Sequence, residues 1–321
     1  MRFAFALAGL AFSALLGPCW AQSWPAKPIR VVVPLAAGGT GDTLGRIVAE
    51  GLSSALNAPV IVDNRPGAGG VIGTELVARS GGDGYTLLAT SSSHVLNSAL
   101  RPGKLSYDPL KDFIAITQIA DTHQVLLAHP SLGIGTVKEL IAAAKARPGK
   151  LTYGSAGNGS ATHLNAELLK SLAHIDLVHV PYKGSTQSRT DLLSGQVNLS
   201  IDGLLPTLPH VRAGKLRALA VTNGKRATVA PDIPTMAEAG VPGYRSDTWY
   251  ALLAPAGTPE AIVTRVRDAT IASLASPAVR DKLLQQGAEP VGGSGRQLME
   301  LMQEDLARWK KVVADTGAHV D

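Results

Sequence analysis

The chain has 321 residues, with 30 Lys plus Arg against 25 Asp plus Glu and a formal net charge of +5. Its basic residues are scattered and aromatics make up only 4%, which argues against a nucleic-acid surface and leaves a mildly basic exterior that attracts small anions. A single cysteine, Cys19, excludes an internal disulfide and a thiolate metal site, and the eight histidines show no metal-ligand spacing.

The chain opens with Arg2, an apolar run Phe3–Leu16 and the small-residue pattern Cys19-Trp20-Ala21. This is the order of a secretory signal, with residues 1–21 removed after Ala21. The apolar run of about 14 residues is shorter than the ~20 needed to span a bilayer. Leu16-Gly17-Pro18-Cys19 also loosely matches a lipidation box on Cys19, although proline beside the acceptor fits it poorly. Cleavage after Ala21 leaves a cysteine-free chain of about 300 residues, enough for two domains held by their cores alone.

Apolar β-branched runs then alternate with helical periodicity. Ile29–Leu35 reads as a buried strand, and Thr43–Leu56 as an amphipathic helix that Asp42 is placed to cap. Strand Pro59–Val62, helix Val71–Arg79 and strand Tyr85–Thr90 follow. Next come strand Gln124–Ala128 and helix Thr136–Arg147, whose Thr136 and Glu139 have capping-box spacing. Strand Leu151–Tyr153, helix Thr162–Leu172, strand Leu177–Val180, helix Thr186–Leu193, and strands Val197–Ile201 and Leu216–Val221 continue the alternation. The end is mostly helical: Pro259–Leu274 and Pro277–Gln286, each with proline at its first position, then Arg296–Thr316. The alternation predicts an α/β protein with largely parallel sheets. Segments Thr117–His123 and Val221–Lys225 are candidate hinges around the middle third.

In such sheets ligands sit beyond the carboxyl ends of strands, at helix N-termini. That rule selects six loops. Ala36–Asp42 is glycine-rich between strand and helix, so its backbone amides either meet an anion or merely turn the chain. In Asn64–Gly70, Arg65 either pairs with a carboxylate or holds the loop. Ser91-Ser92-Ser93-His94 brings hydroxyls to a strand end. Gly154–His163 combines glycines with Ser155, Ser160 and Thr162 and suits an anion cradle better than a nucleotide, since Thr162 stands where a dinucleotide fingerprint needs glycine. Tyr182 and Lys183 follow a strand, where Tyr182 can wall a pocket. Asp202 ends a strand and either accepts from a ligand amine or caps the next helix.

Catalytic arrangements are weaker. Ser155 lies in Gly154-Ser155-Ala156-Gly157, which is not a nucleophile elbow, and no H-E-x-x-H occurs. A secreted hydrolase using Ser155 or one of Ser91–Ser93 with a distant histidine is the competing class. A cytoplasmic regulator would need a helix-turn-helix segment where the chain offers a signal sequence.

Taken in order, the motifs resemble the extracytoplasmic receptors of tripartite tricarboxylate transporters, the Bug or TctC-type proteins. The resemblance runs over Trp24–Arg30, Ala37–Asp42, Asn64–Gly70, Asp83–Leu87, Tyr153–Ser160, His163-Leu164, Val180–Gly184, Gly214–Thr222, Pro234–Gly240 and Leu253–Pro259. It implies a type II periplasmic-binding-protein fold, with two α/β lobes, two hinge crossings and a ligand in the cleft. Residues 22–122 plus 222–321 would form one lobe and 123–221 the other. It implies no cofactor and no metal, a monomer in the periplasm, and a small carboxylate handed to a membrane permease or a sensor kinase. Carried over residue by residue, ligand contacts fall on Ala37, Gly39, Thr40 and Asp42, and on Ser155, Ala156, Ser160, Thr162 and His163, with Tyr182 and Asp202 beside them; the serine run at the strand end adds Ser91. Pro34-Leu35-Ala36, Ser160 and Thr162 depart from common members of the family, so ligand identity does not carry over. The ligand would be held by amides, hydroxyls and water, without a dedicated arginine.

Overall fold

A computed structural model describes residues 24–35, 37–158, 160–182 and 184–316. The expected signal segment 1–21, its cleavage point and Cys19 lie outside the described residues, as do Ala36, Gly159 and Lys183. No described helix is long and apolar enough to cross a membrane.

The chain begins with strand β1 (Ile29–Val33), helix α1 (Thr40–Leu56), β2 (Val60–Asn64), α2 (Val71–Ala78), β3 (Thr86–Ser91), α3 (Ser93–Leu100) and β4 (Phe113–Thr122). It then builds β5 (Gln124–Ala128), α4 (Val137–Ala146), β6 (Thr152–Ser155), α5 (Ala161–Ala173), β7 (Val178–Pro181), α6 (Ser185–Leu193), β8 (Leu199–Gly203), α7 (Leu204–Arg212) and β9 (Arg217–Val221). It returns with β10 (Thr248–Pro255), α8 (Glu260–Ala275), α9 (Pro277–Gln285), β11 (Ala288–Gly292) and α10 (Gly295–Thr316).

Two sheets result, ordered β11-β4-β10-β3-β1-β2 and β7-β6-β8-β5-β9. Each is the floor of one α/β lobe. The expectation of largely parallel sheets is corrected. β1 is parallel to β2 and β3, and β6 to β7 and β8, but β10 is antiparallel to β3 and β4, β11 to β4, and β5 to β8 and β9. β10 and β11 thus run against the other four strands of the first sheet, and β5 runs against the other four of the second, so both sheets are mixed.

β1 lies between two neighbours and is covered on both faces, which is why Val31, Val32 and Val33 succeed one another without a polar break. Val31 and Val33 face Leu44, Ile47, Val48 and Leu52 of α1, while Val32 packs with Val77, Leu88 and Val95 on the other face. The capping box of α4 forms as its sequence predicts, with Thr136 Oγ1 accepting from the Glu139 amide and Glu139 accepting from Thr136. α10 closes the molecule from behind: it packs on α3 of one lobe and α5 of the other. Its buried Asp305 accepts from the Trp249 indole at 2.6 Å.

The lobes meet where β4 passes through His123 into β5. Alongside, the Thr222 amide donates to Gln124 O, the Asn223 side chain donates to Thr122 O, and Ser246 N donates to Thr222 O. After β9 the chain stays on the second sheet: Val221 bridges Thr235, and Ala227 and Ile233 pack with β5 and β9 residues. Its backbone rejoins the first sheet at Ser246–Thr248, although Asn223 and the Thr228 amide already donate to Thr122 O and to Glu289 on that sheet. The backbone thus passes from one sheet to the other after Thr122 and returns at residues 246–247.

Candidate functional site

The ends of β1 and β6 point toward the gap between the lobes, and each turns at once into a helix. Asp42 does not cap α1 from outside. The helix starts a turn earlier than expected, at Thr40, with Gly39 as the cap residue in extended conformation. Asp42 sits at the third helical position and reaches back to accept from the Gly38 amide at 2.8 Å. It also takes Arg46 Nε, and Asn64 Nδ2 at 3.0 Å, which ties the loop to the end of β2. Burial alone would raise the Asp42 carboxyl, but the Gly38 amide, Arg46 and Asn64 outweigh it and hold it below the usual range. Ala37, Gly39 and Thr40 remain exposed, and the first intrahelical bond is Thr43 N to Gly39 O. The amides before Thr43 are thus the orphan donors of a helix start, held open to the gap.

The β6–α5 loop is built differently. Ser160 caps α5 by accepting from the His163 amide, and its hydroxyl lies 3.0 Å from Thr162 Oγ1. Thr162 Oγ1 in turn accepts from the Ala156 amide at 2.9 Å. Ser155 is fully buried, accepts from Gly157 N, and meets His179 Nε2 at 2.6 Å. His163 stacks on His179 with centroids 4.1 Å apart, and Tyr153 stacks on the other face of His179. Burial, helped by its neighbour His163, pulls His179 down to about 4, and burial likewise lowers His163 against the pull of Glu167. Both imidazoles are neutral at pH 7.

Between these loops lies a cavity of about 310 Å3 lined from both lobes. Thr40, Thr248, Tyr250 and Gln286 come from the first, and Gln124, Thr162, Ser185, Arg189, Asp202 and Leu205 from the second. Burial pushes the Tyr250 phenol up to about 12, so it stays a neutral group there. A larger groove of about 510 Å3, lined by Pro130, Ile134, Glu139 and Arg217, lies on the second lobe alone and touches neither loop. No described cluster of His, Asp or Glu is arranged to hold a metal.

Of the residues selected from sequence, Thr40, Thr162 and Asp202 line the cavity directly. Ala37 and Gly39 precede Thr40, while Ala156 and Ser160 are bonded to Thr162. Ser91 pairs in register with Tyr250 and bonds Ser93, one layer behind the wall. Tyr182 turns its hydroxyl to Asp191, 2.7 Å away and outside the cavity lining. Arg65 forks onto both oxygens of Asp63, the loop-holding alternative. Asp202 does not cap α7 at its own position: Gly203 is the cap residue, and Asp202 accepts its amide while binding Arg189.

Arg189, not selected from sequence, also lines the cavity. Its signal was present in the sequence: it lies four residues after Ser185, the first residue of α6, and so shares the cavity-facing side of that helix. Thr248 and Tyr250 alternate along β10, a strand that the sequence pattern had not revealed.

The family description "Tripartite tricarboxylate transporter family receptor" matches residues 44–318. Protein BugT of Bordetella pertussis is 38% identical over 311 residues, covering 96% of this chain and 95% of its own length. Among solved structures, R. palustris Rpa4515 with adipate superposes with a TM-score of 0.79 at 38% identity, covering 92% of this chain and 100% of its own. MatC from Rhodopseudomonas palustris with bound malate gives 0.76 at 33% identity, over 90% and 100%. The matches span both lobes, as the ordered motifs implied. The chain belongs to the tripartite tricarboxylate transporter receptor family, the Bug or TctC-type solute-binding proteins.

Proposed function

We propose that this receptor binds a small carboxylate in the interlobe cavity, in the periplasm, after export and cleavage behind Ala21. The supporting observation is that two helix starts of opposite lobes, at Thr40 and Thr162, converge on one cavity. Orphan amides and the helix dipole at such starts favour an anion. The adipate and malate bound by the two solved relatives support the same ligand class. Ala37, Gly39 and Thr40 offer amides and a hydroxyl from one side. Thr162, already accepting from Ala156, offers its proton from the other. Asp42, Ser155, Ala156, Ser160 and His163 act behind them by fixing the two loops.

Binding follows the two-lobed logic. The open protein takes up the ligand, and bending at His123 and residues 246–247 closes the lobes so that fixed dipoles replace water. On this reading the second lobe extends past Val221 to about residue 245. The closed monomer then docks on a membrane permease or the outer domain of a sensor kinase. Calorimetric titration with mono- and dicarboxylates, aromatic acids and amino acids tests the proposal. Saturable binding of an organic acid supports it, and silence across the panel sinks it.

The Ser155–His179 bond gives the hydrolase alternative its one concrete observation. Its surroundings favour a structural role: Ser155 is inaccessible to solvent, and His179 is sandwiched between two rings, without a carboxylate bonded to its second nitrogen among the described residues. Esterase turnover that disappears in Ser155→Ala would reverse this assignment.

A further inference from the structure

We infer that Arg189 receives a second carboxylate, which makes the ligand a short dicarboxylate and Arg189 its specificity-determining residue. The inference rests on the carboxylate-binding reading of the cleft and adds what the far end of the ligand must be.

Arg189 is 18% exposed at its side chain and its partner Asp202 only 5%. Nε donates to Asp202 Oδ2 at 2.7 Å, and Asp202 Oδ1 accepts from the Gly203 amide at 2.7 Å. Both carboxylate oxygens of Asp202 are therefore engaged. Among the described residues Arg189 hydrogen-bonds only through Nε, and its side chain lines the cavity, which leaves its terminal nitrogens for a further acceptor there. A guanidinium stays charged at any physiological pH, and a largely desolvated one calls for an acceptor. Its planar fork matches a carboxylate with two parallel hydrogen bonds.

The same geometry discriminates between ligand classes. An α-amino acid would need Asp202 for its ammonium group, yet Asp202 is occupied by Arg189 and Gly203. A monocarboxylate would satisfy the helix starts and leave the guanidinium bare. A dicarboxylate satisfies both ends: one carboxylate at Thr40 and Thr162, the other at Arg189, whose orientation Asp202 fixes. The roughly 310 Å3 cavity has room for a chain of a few methylenes between them.

The test is calorimetry with succinate, glutarate and adipate, each against the monocarboxylate of equal length and against glutamate. Wild-type protein is expected to prefer at least one dicarboxylate over its monocarboxylate by about 10- to 100-fold, the range of a charge-assisted contact. Arg189→Gln, and Arg189→Met combined with Asp202→Asn so that no buried charge is stranded, should bring that ratio close to one. Arg189→Lys should give an intermediate ratio, because it keeps the charge and loses the fork. Melting curves of all variants establish that they fold. A ratio unchanged in folded Arg189 variants overturns the inference while leaving the carboxylate reading intact, and so does preferred binding of glutamate by the wild type. Failure of the wild type to bind any carboxylate overturns the carboxylate reading itself.

Discussion

The two loops beside the interlobe cavity are held in place by opposite chemistry. The β1–α1 loop is pinned by one ionised carboxylate, Asp42, through Gly38, Arg46 and Asn64. The β6–α5 loop is pinned by neutral groups: the hydroxyls of Ser155, Ser160 and Thr162, and the stacked imidazoles of His163 and His179. The first is a hub, where three donors meet at one side chain. The second is a mesh, where each hydroxyl has a neighbour to share with. A hub fails at a single residue, whereas a mesh fails when its ionisation state changes.

The largest effect that breaks this comparison is expected from Asp42→Ala. It strips the acceptor from three donors at a buried position and should destabilise the protein by about 3 kcal/mol in urea unfolding. No single hydroxyl removal in the other loop should match it. Acidification should act in the reverse order. His179, pulled down to about 4, contributes fully above about pH 6.5 and loses that contribution as pH falls toward 4, and His163, also lowered, acts in the same direction. Asp42, also lowered, contributes fully above about 3.8 and is lost only below that. Between pH 6.5 and 4 the β6–α5 loop should loosen alone, at a cost of about 2 kcal/mol after allowing for partial exposure of His179. Histidine ring signals and amide exchange would follow it, and His179→Asn should remove the acid-dependent part. If both loops loosen together, the distinction between hub and mesh is lost. Closure sharpens the comparison, because both loops must approach each other. A Cβ on Gly287, which sits at φ +69, would come within 2.8 Å of Leu205 across the cavity. Gly287→Ala should prop the lobes apart and weaken ligand binding about tenfold, equivalent to ~1.4 kcal/mol. The smallest effect is expected from Ser160→Ala, about 1 kcal/mol for loss of one helix cap, read by thermal melting.

The alternation of strand and helix was legible because β1, β3, β6 and β8 are short runs buried on both faces, and periodicity separates them cleanly from the helices between. β4 and β10 were not. The Thr117–His123 segment looked like a hinge, but through Thr122 it is strand, covered by β10 and β11. α7 was hidden by its two prolines: Pro206 falls in the first turn, where its missing N–H costs nothing, but Pro209 lies inside the helix, where the sequence reads as a break. Loop identity was legible, since glycine and hydroxyl residues after a strand have few other uses. What each side chain does there was not. Asp42 and Ser155 turned inward because their partners, Asn64 and His179, lie 22 and 24 residues away in sequence. Arg189 was missed because an arginine on a short polar helix reads as solvated until its pairing with the buried Asp202, thirteen residues on, is seen.

One feature of the first sheet bears on how the molecule comes into being. β10 occupies the interior of that sheet, between β3 and β4, although some 125 residues separate it from β4 along the chain. Until residues 248–255 have emerged, the first sheet is one three-stranded piece, β3-β1-β2, and a lone strand, β4, each with a bare edge. The middle lobe has all five of its strands by Val221. Assembly therefore starts in the middle of the chain and finishes with its two ends, and a chain stopped anywhere before β10 carries open strand edges prone to pairing with other chains.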